Sequence, residues 1–181
     1  MCRWGATPFI RAVLFLALLT SPGCAPSDRP EILALATAGT GGVYYVLGGS
    51  IAEFWSRELP EQDFVAEVTG GSVENLSLLL AGDVQVAFSM GTNAHEVFNA
   101  TGSFAGRDPA QVLALAALYP NVLHLVTLEG TGVESLSDLV GRRVSVGAPG
   151  SGTEVGARTL LEGNGIGYDD FQPQRLNFNE T

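Results

Sequence analysis

Three clusters of glycine and hydroxyl residues are the part of this chain best suited to chemistry: Gly39-Thr40-Gly41-Gly42, Gly70-Gly71-Ser72 and Gly150-Ser151-Gly152-Thr153. Each follows a strand-like apolar run and opens a helix-like segment. That places its backbone amides at a helix N-terminus, where N–H groups without intrahelical acceptors attract an anion. The hydroxyls can either cap the helix or reach a ligand. A tight turn with its own cap accounts for any one cluster alone. Three in equivalent positions favour a shared site, because ligands of parallel α/β sheets lie outside the carboxyl ends of the strands. The chemistry implied is non-covalent capture of a small polar or anionic molecule.

Other chemistries lack their groups. All nine basic residues are arginine, so neither a Schiff base nor a lysine-bearing phosphate loop can form. Gly147 to Thr153 imitates such a loop, but Thr153 follows Gly152 directly, where the lysine would stand. Gly39-Thr40-Gly41-Gly42 is half of a dinucleotide fingerprint without its third glycine. His95 precedes Glu96 with no second histidine four residues on, so it makes no zinc pair. His124 falls in an apolar run and is expected in the core or at a hinge. Gly150-Ser151-Gly152 is not a nucleophile elbow. No catalytic residue, metal ligand or cofactor is assigned, and no enzyme is expected. The formal charge of −10 argues against nucleic acid, which a basic footprint would hold.

The elements that must position the clusters alternate. Strands are expected at Glu31 to Thr37, Phe64 to Val68, Val84 to Phe88, Val112 to Leu118, Val122 to Thr127 and Arg143 to Gly147. Helices are expected from Val43 to Arg57, from Ser72 with Ser72 as N-cap, and from Glu154 to Glu162, with a helical turn at Ser137 to Val140. One ring of Tyr44-Tyr45 would line a pocket, and Phe54 and Trp55 would join the core. Strand, glycine loop and helix recur three times, the pattern of an open α/β fold with right-handed crossovers.

The N-terminus reads as an export signal over residues 1–23, with Arg3 and Arg11 before a short apolar run and Ser21-Pro22-Gly23-Cys24 as its exit. It resembles a bacterial lipoprotein signal with Cys24 as the lipidated residue, although Ser21 and Pro22 are unusual there. Ordinary cleavage after Ala25 and a buried N-terminal helix are the alternatives. Residues 24–30 form a tether. Removal of Cys2 with the signal leaves Cys24 without a disulfide partner. At the other end, strand-like Gln174 to Phe178 is followed by no closing element.

Gly39-Thr40-Gly41-Gly42-Val43-Tyr44-Tyr45, Thr69-Gly70-Gly71-Ser72-Val73-Glu74-Asn75-Leu76, Leu118-Tyr119-Pro120 with His124, and Val146-Gly147-Ala148-Pro149-Gly150-Ser151-Gly152-Thr153 resemble, in order, the TAXI-type solute-binding proteins of TRAP transporters. Val46 departs from the proline frequent there. The resemblance implies a periplasmic-binding-protein fold of two α/β lobes joined by a hinge. Lobe one would span 31–118, the crossover 119–124, and 125–181 would begin a second lobe that is incomplete in this chain. It implies capture of a small solute, a glutamate-like amino acid or a dicarboxylate, for delivery to TRAP membrane permease subunits. The protein would lie in the periplasm or on the outer face of the cytoplasmic membrane, held by lipid if Cys24 is modified. Thr40, Gly41, Gly42, Tyr44, Gly71, Ser72 and Ser89 would bind the ligand from lobe one. Tyr119 would stand at the hinge, with Ser151, Gly152 and Thr153 facing from lobe two. A ligand-sensing lipoprotein serving a receptor and a secreted α/β enzyme acting on an anionic substrate are the competing readings.

Overall fold

A computed structural model describes residues 30–110 and 112–181. The expected export signal, Cys24 and the expected tether up to Arg29 lie outside them. Strand β1 (Glu31–Ala36) leads through the first glycine loop into helix α1 (Val43–Glu58). Strand β2 (Gln62–Glu67), helix α2 (Ser72–Ala81), strand β3 (Val86–Ala87) and helix α3 (Gly91–Asn99) follow. Strand β4 (Arg143–Ser145), helix α4 (Gly152–Gly163) and strand β5 (Gln172–Gln174) form a second unit.

The first sheet is parallel with order β2-β1-β3, and β1 pairs with β2 from Glu31↔Gln62 to Ala36↔Glu67. β2 alternates half-buried and exposed residues, the period-2 signature of a strand with one covered face. Leu35, Ala52 and Phe88 lock α1 onto this sheet, while Leu76, Val97 and Phe104 join α2 to α3. In the second unit β4 and β5 are also parallel, over a core of Leu139, Val146, Leu161, Ile166 and Phe171. Parallel neighbours put all the loops after β1, β2 and β3 at one end of the sheet.

Several expectations need correction. Residues 112–118 and 122–127 form no ladder among the described residues, so they are not strands. Leu113 is 89 % and Val126 84 % exposed. Their apolar composition suits a sheet, but a strand is defined by the ladder on its neighbour. His124 lies in this stretch and is exposed rather than in a core. Helix α3 lies outside the elements expected from sequence. Gly, Thr and Asn give its first turn weak intrinsic propensity, and the packing of Val97 supplies what propensity does not. Phe54 is half-exposed with the Arg57 guanidinium over its ring, whereas Trp55 packs edge-on against Phe64. After β5 the chain turns, with Glu180 N–H bonding to the Asn177 carbonyl, so no strand extends to Phe178.

Candidate functional site

A single buried side chain ties together the loops at the carboxyl end of the first sheet. Asn75, in the first turn of α2, is fully buried. Its Nδ2 donates to the carbonyls of Thr37 at 2.6 Å and Phe88 at 2.8 Å, and its Oδ1 accepts from Thr69 Oγ1. Thr37 Oγ1 in turn donates to the Glu67 carbonyl at 2.6 Å. The ends of β1, β2 and β3 are thereby held in one frame. Buried polar atoms demand such partners, because an unpaired one costs about 1–3 kcal/mol.

The second unit meets this frame through the third glycine cluster. Gly71 takes φ 119°, a conformation glycine adopts freely, and stands as N-cap of α2. Ser72 is therefore the first helical residue and not the cap. Its Oγ accepts from the Met90 N–H at 3.1 Å. The amides of Val73 and Glu74 at the start of α2 donate to the Gly150 carbonyl, at 3.0 and 3.1 Å. Ser151 caps its own helix by accepting from the Glu154 N–H at 3.0 Å, and α4 begins at Gly152 instead of Glu154. Gly152 is buried against side chains of the first unit. A methyl group built on it would lie 2.7 Å from Asn93 Oδ1 and 2.8 Å from both Ser72 Oγ and Met90 Sδ. Only a residue without a side chain fits there.

The remaining predicted residues divide into three groups. Thr40 Oγ1 accepts from Asn179 Nδ2 at 2.9 Å, and Asn179 also covers Gly41, with Phe178 beside Gly42. Tyr44 stacks on Phe88 and lies 6.3 Å, centroid to centroid, from Tyr119; its hydroxyl accepts from Asn121 Nδ2 at 3.3 Å. Burial, then the neighbouring Tyr44, raises the Tyr119 phenol above the usual tyrosine value, so it stays a neutral donor at physiological pH. Ser89 and Thr153 stand apart from these contacts. Ser89 Oγ donates to the adjacent Met90 carbonyl, and Thr153 lines a small apolar pocket with Leu123, Val146 and Leu160.

Thus Gly71, Ser72, Ser151 and Gly152 come together, Thr40, Gly41 and Gly42 lie under the C-terminal turn, and Tyr44 faces Tyr119. The functional candidates not expected from sequence are all asparagines: Asn75, Asn93, Asn121 and Asn179. Asn75 follows Ser72 by three residues, a spacing that marks a helix start and says nothing of its reach to three strands. The gathered groups are amides, carboxamides, hydroxyls and phenols, all of them hydrogen-bonding groups.

The sequence pattern of a family described as NMT1-like matches residues 35–181. Among solved structures, the alkanesulfonate-binding protein SsuA from Xanthomonas axonopodis pv. citri bound to MOPS superposes with a TM-score of 0.50 at 14 % identity, over 83 % of this chain and 49 % of that one. The periplasmic aliphatic sulphonate binding protein SsuA from Escherichia coli gives a TM-score of 0.43 at 18 % identity, over 82 % and 45 %. The first of these likenesses shows the fold, an α/β periplasmic-binding-protein architecture. The chain spans about half the length of the solved structures it matches.

Proposed function

The chain belongs to the NMT1-like family, and on that premise we propose that it captures a small polar or anionic solute outside the cytoplasm and delivers it to membrane permease subunits. One observation carries this reading. Loops from two separate parallel sheets meet through Gly150 on the start of α2 and Gly152 against Ser72 and Asn93. Residues 31–118 act as lobe one, 119–124 as the crossover and 125–181 as the beginning of lobe two. Parting of the lobes frees the amides of Val73 and Glu74 from Gly150, and a solute anion takes that carbonyl's place.

The solute is a carboxylate or sulfonate small enough to lie between Thr40, Ser72 and the first turn of α4. The loop motifs shared with TAXI-type proteins support a TRAP-type permease as partner and a glutamate-like acid or dicarboxylate as cargo. The superposed alkanesulfonate-binding protein supports the anionic class. No residue is assigned a catalytic role and no cofactor is needed. An export signal over 1–23 and lipidation at Cys24 would place the protein in the periplasm or on the outer face of the cytoplasmic membrane.

Calorimetric titration of the purified protein with L-glutamate, succinate and ethanesulfonate tests the reading. Saturable binding of at least one acid, with the acid recovered chemically unchanged, is expected. Turnover of a bound acid, or no binding of any, contradicts it. Binding at a hundredfold excess over Kd adds about 2.7 kcal/mol of stability, which a thermal melt reports independently.

A further inference from the structure

Asn93 lies in the first turn of α3 with no exposed surface. Its Nδ2 donates to Glu96 Oε2 at 3.2 Å. A carboxylate only accepts, so this bond fixes which end of the carboxamide points which way. The other end, Oδ1, has no donor among the described residues. It is aimed at the start of α4, 2.7 Å from where a methyl group on Gly152 would stand, with Ser72 Oγ 2.8 Å from the same point. Across that contact, α4 offers the amides of Gly152 and Thr153, which have no intrahelical acceptor, while the Glu154 amide is already taken by Ser151 Oγ. Asn93 Oδ1 faces the α-carbon of Gly152 and not its N–H, so a buried acceptor and two first-turn amides stand at one junction without pairing with each other.

We propose that Asn93 is a specificity-determining residue of the solute site. Once the lobes part, Oδ1 accepts a hydrogen bond from an N–H or O–H of the solute, and the neighbouring anionic group of the same solute rests on the first-turn amides of α4. This rests on the solute-capture reading and sharpens its ligand class. The preferred solute carries a donor one or two atoms from an anion, as α-amino and α-hydroxy acids do. A simple diacid leaves Oδ1 unpaired and is bound more weakly, because a site built to pair a polar group rejects the analogue that lacks it.

Two matched pairs of acids test the inference by calorimetry on the intact protein: L-glutamate against glutarate, and L-malate against succinate. The wild type is expected to bind the amino or hydroxy member of at least one pair tenfold or more tightly than its plain partner. Asn93→Ala should erase that preference by weakening the substituted acid about tenfold, with the plain acid nearly unchanged. Equal affinities within both pairs in the wild type overturn the role of Asn93 without needing any variant. So does a preference that survives in Asn93→Ala. If none of the four acids binds, titration with ethanesulfonate separates the two levels. Its binding would leave solute capture standing and the proposed ligand class refuted, and its failure to bind would refute both.

Discussion

Helix α2 follows Gly70-Gly71 with Ser72 as its first residue, whereas α4 follows Gly150-Ser151 with Gly152 first. The letters are nearly the same, and the solutions differ. Ser151 stands one position earlier relative to its helix, so its hydroxyl reaches the Glu154 amide and closes the cap locally. Ser72 stands one position too late for that. Its hydroxyl instead anchors the Met90 N–H of the next loop, and the orphan amides of α2 are satisfied by the Gly150 carbonyl from the other unit. A local cap stabilises one helix. A cap supplied from elsewhere couples two units, and under the proposed function that contact is the one a solute displaces.

The largest effect expected from this comparison concerns the frame beneath α2. Asn75→Ala leaves the Thr37 and Phe88 carbonyls and the Thr69 hydroxyl without their buried partner. The cost is roughly 3 kcal/mol or more, at about 1–3 kcal/mol per orphaned group. At about 2–4 °C per kcal/mol for a chain of this size, the melting temperature should fall by about 6–12 °C. A drop below 2 °C in a thermal melt would show that the loops hold their places without Asn75.

A smaller and more pointed pair is Ser151→Ala with Ser72→Ala. Loss of the Ser151 cap should cost about 1 kcal/mol and speed amide exchange through the first turn of α4. Ser72→Ala should leave exchange at the start of α2 unaltered, because that turn is capped by Gly150, while the Met90 amide loses its acceptor. Equal fraying of both helices would erase the distinction drawn between them.

The smallest effect lies outside both loops and serves as a control on the second unit. In the helical turn Leu136–Leu139, Asp138 accepts from the Ser135 hydroxyl and from the amides of Glu134 and Ser135. The Ser135 hydroxyl bond first, then the two amide bonds, pulls its pKa below the ordinary 3.8. A carboxyl lowered on folding adds stability that is fully present above its unfolded pKa and is lost as pH falls through the folded value. Asp138→Asn should therefore melt slightly below wild type at pH 7, and the two should converge as the pH drops below about 4. A gap unchanged in acid would mean that the carboxylate charge plays no part in this turn.

Sequence made the alternation of elements legible because it rests on local pattern. The apolar periodicity of Val43 to Arg57 and the alternation through Phe64 and Ala66 report which face each element buries. Local pattern fails where a partner is needed. Leu113, Leu115 and Val126 have the composition of strand residues, yet pairing is a property of a neighbouring edge and not of the run itself. Within the site, the glycine clusters were legible because turns and helix starts carry their own letters. The asparagines were not. Asn75 bonds to carbonyls far away in the chain and Asn93 Oδ1 faces Gly152 of a distant helix, and nothing in the adjacent residues distinguishes them from exposed Asn99, whose carboxamide bonds to the His95 carbonyl of its own helix. The sequence pattern points to Ser72 as the cap, one residue past Gly71, which is the margin on which cap geometry turns.

The central claim is that α2 is capped across the junction by Gly150, with Gly152 as the residue whose missing side chain permits the contact. Amide exchange at Val73 and Glu74, compared between wild type and Gly152→Ala, tests it most directly. A methyl group at Gly152 meets Asn93 Oδ1, Ser72 Oγ and Met90 Sδ inside van der Waals distance, so it must push the two loops apart, while alanine is tolerated in α4 itself. Both amides should exchange slowly in the wild type and fast in the variant, with the body of α4 equally protected in each. Equal protection of Val73 and Glu74 in the two proteins would contradict it.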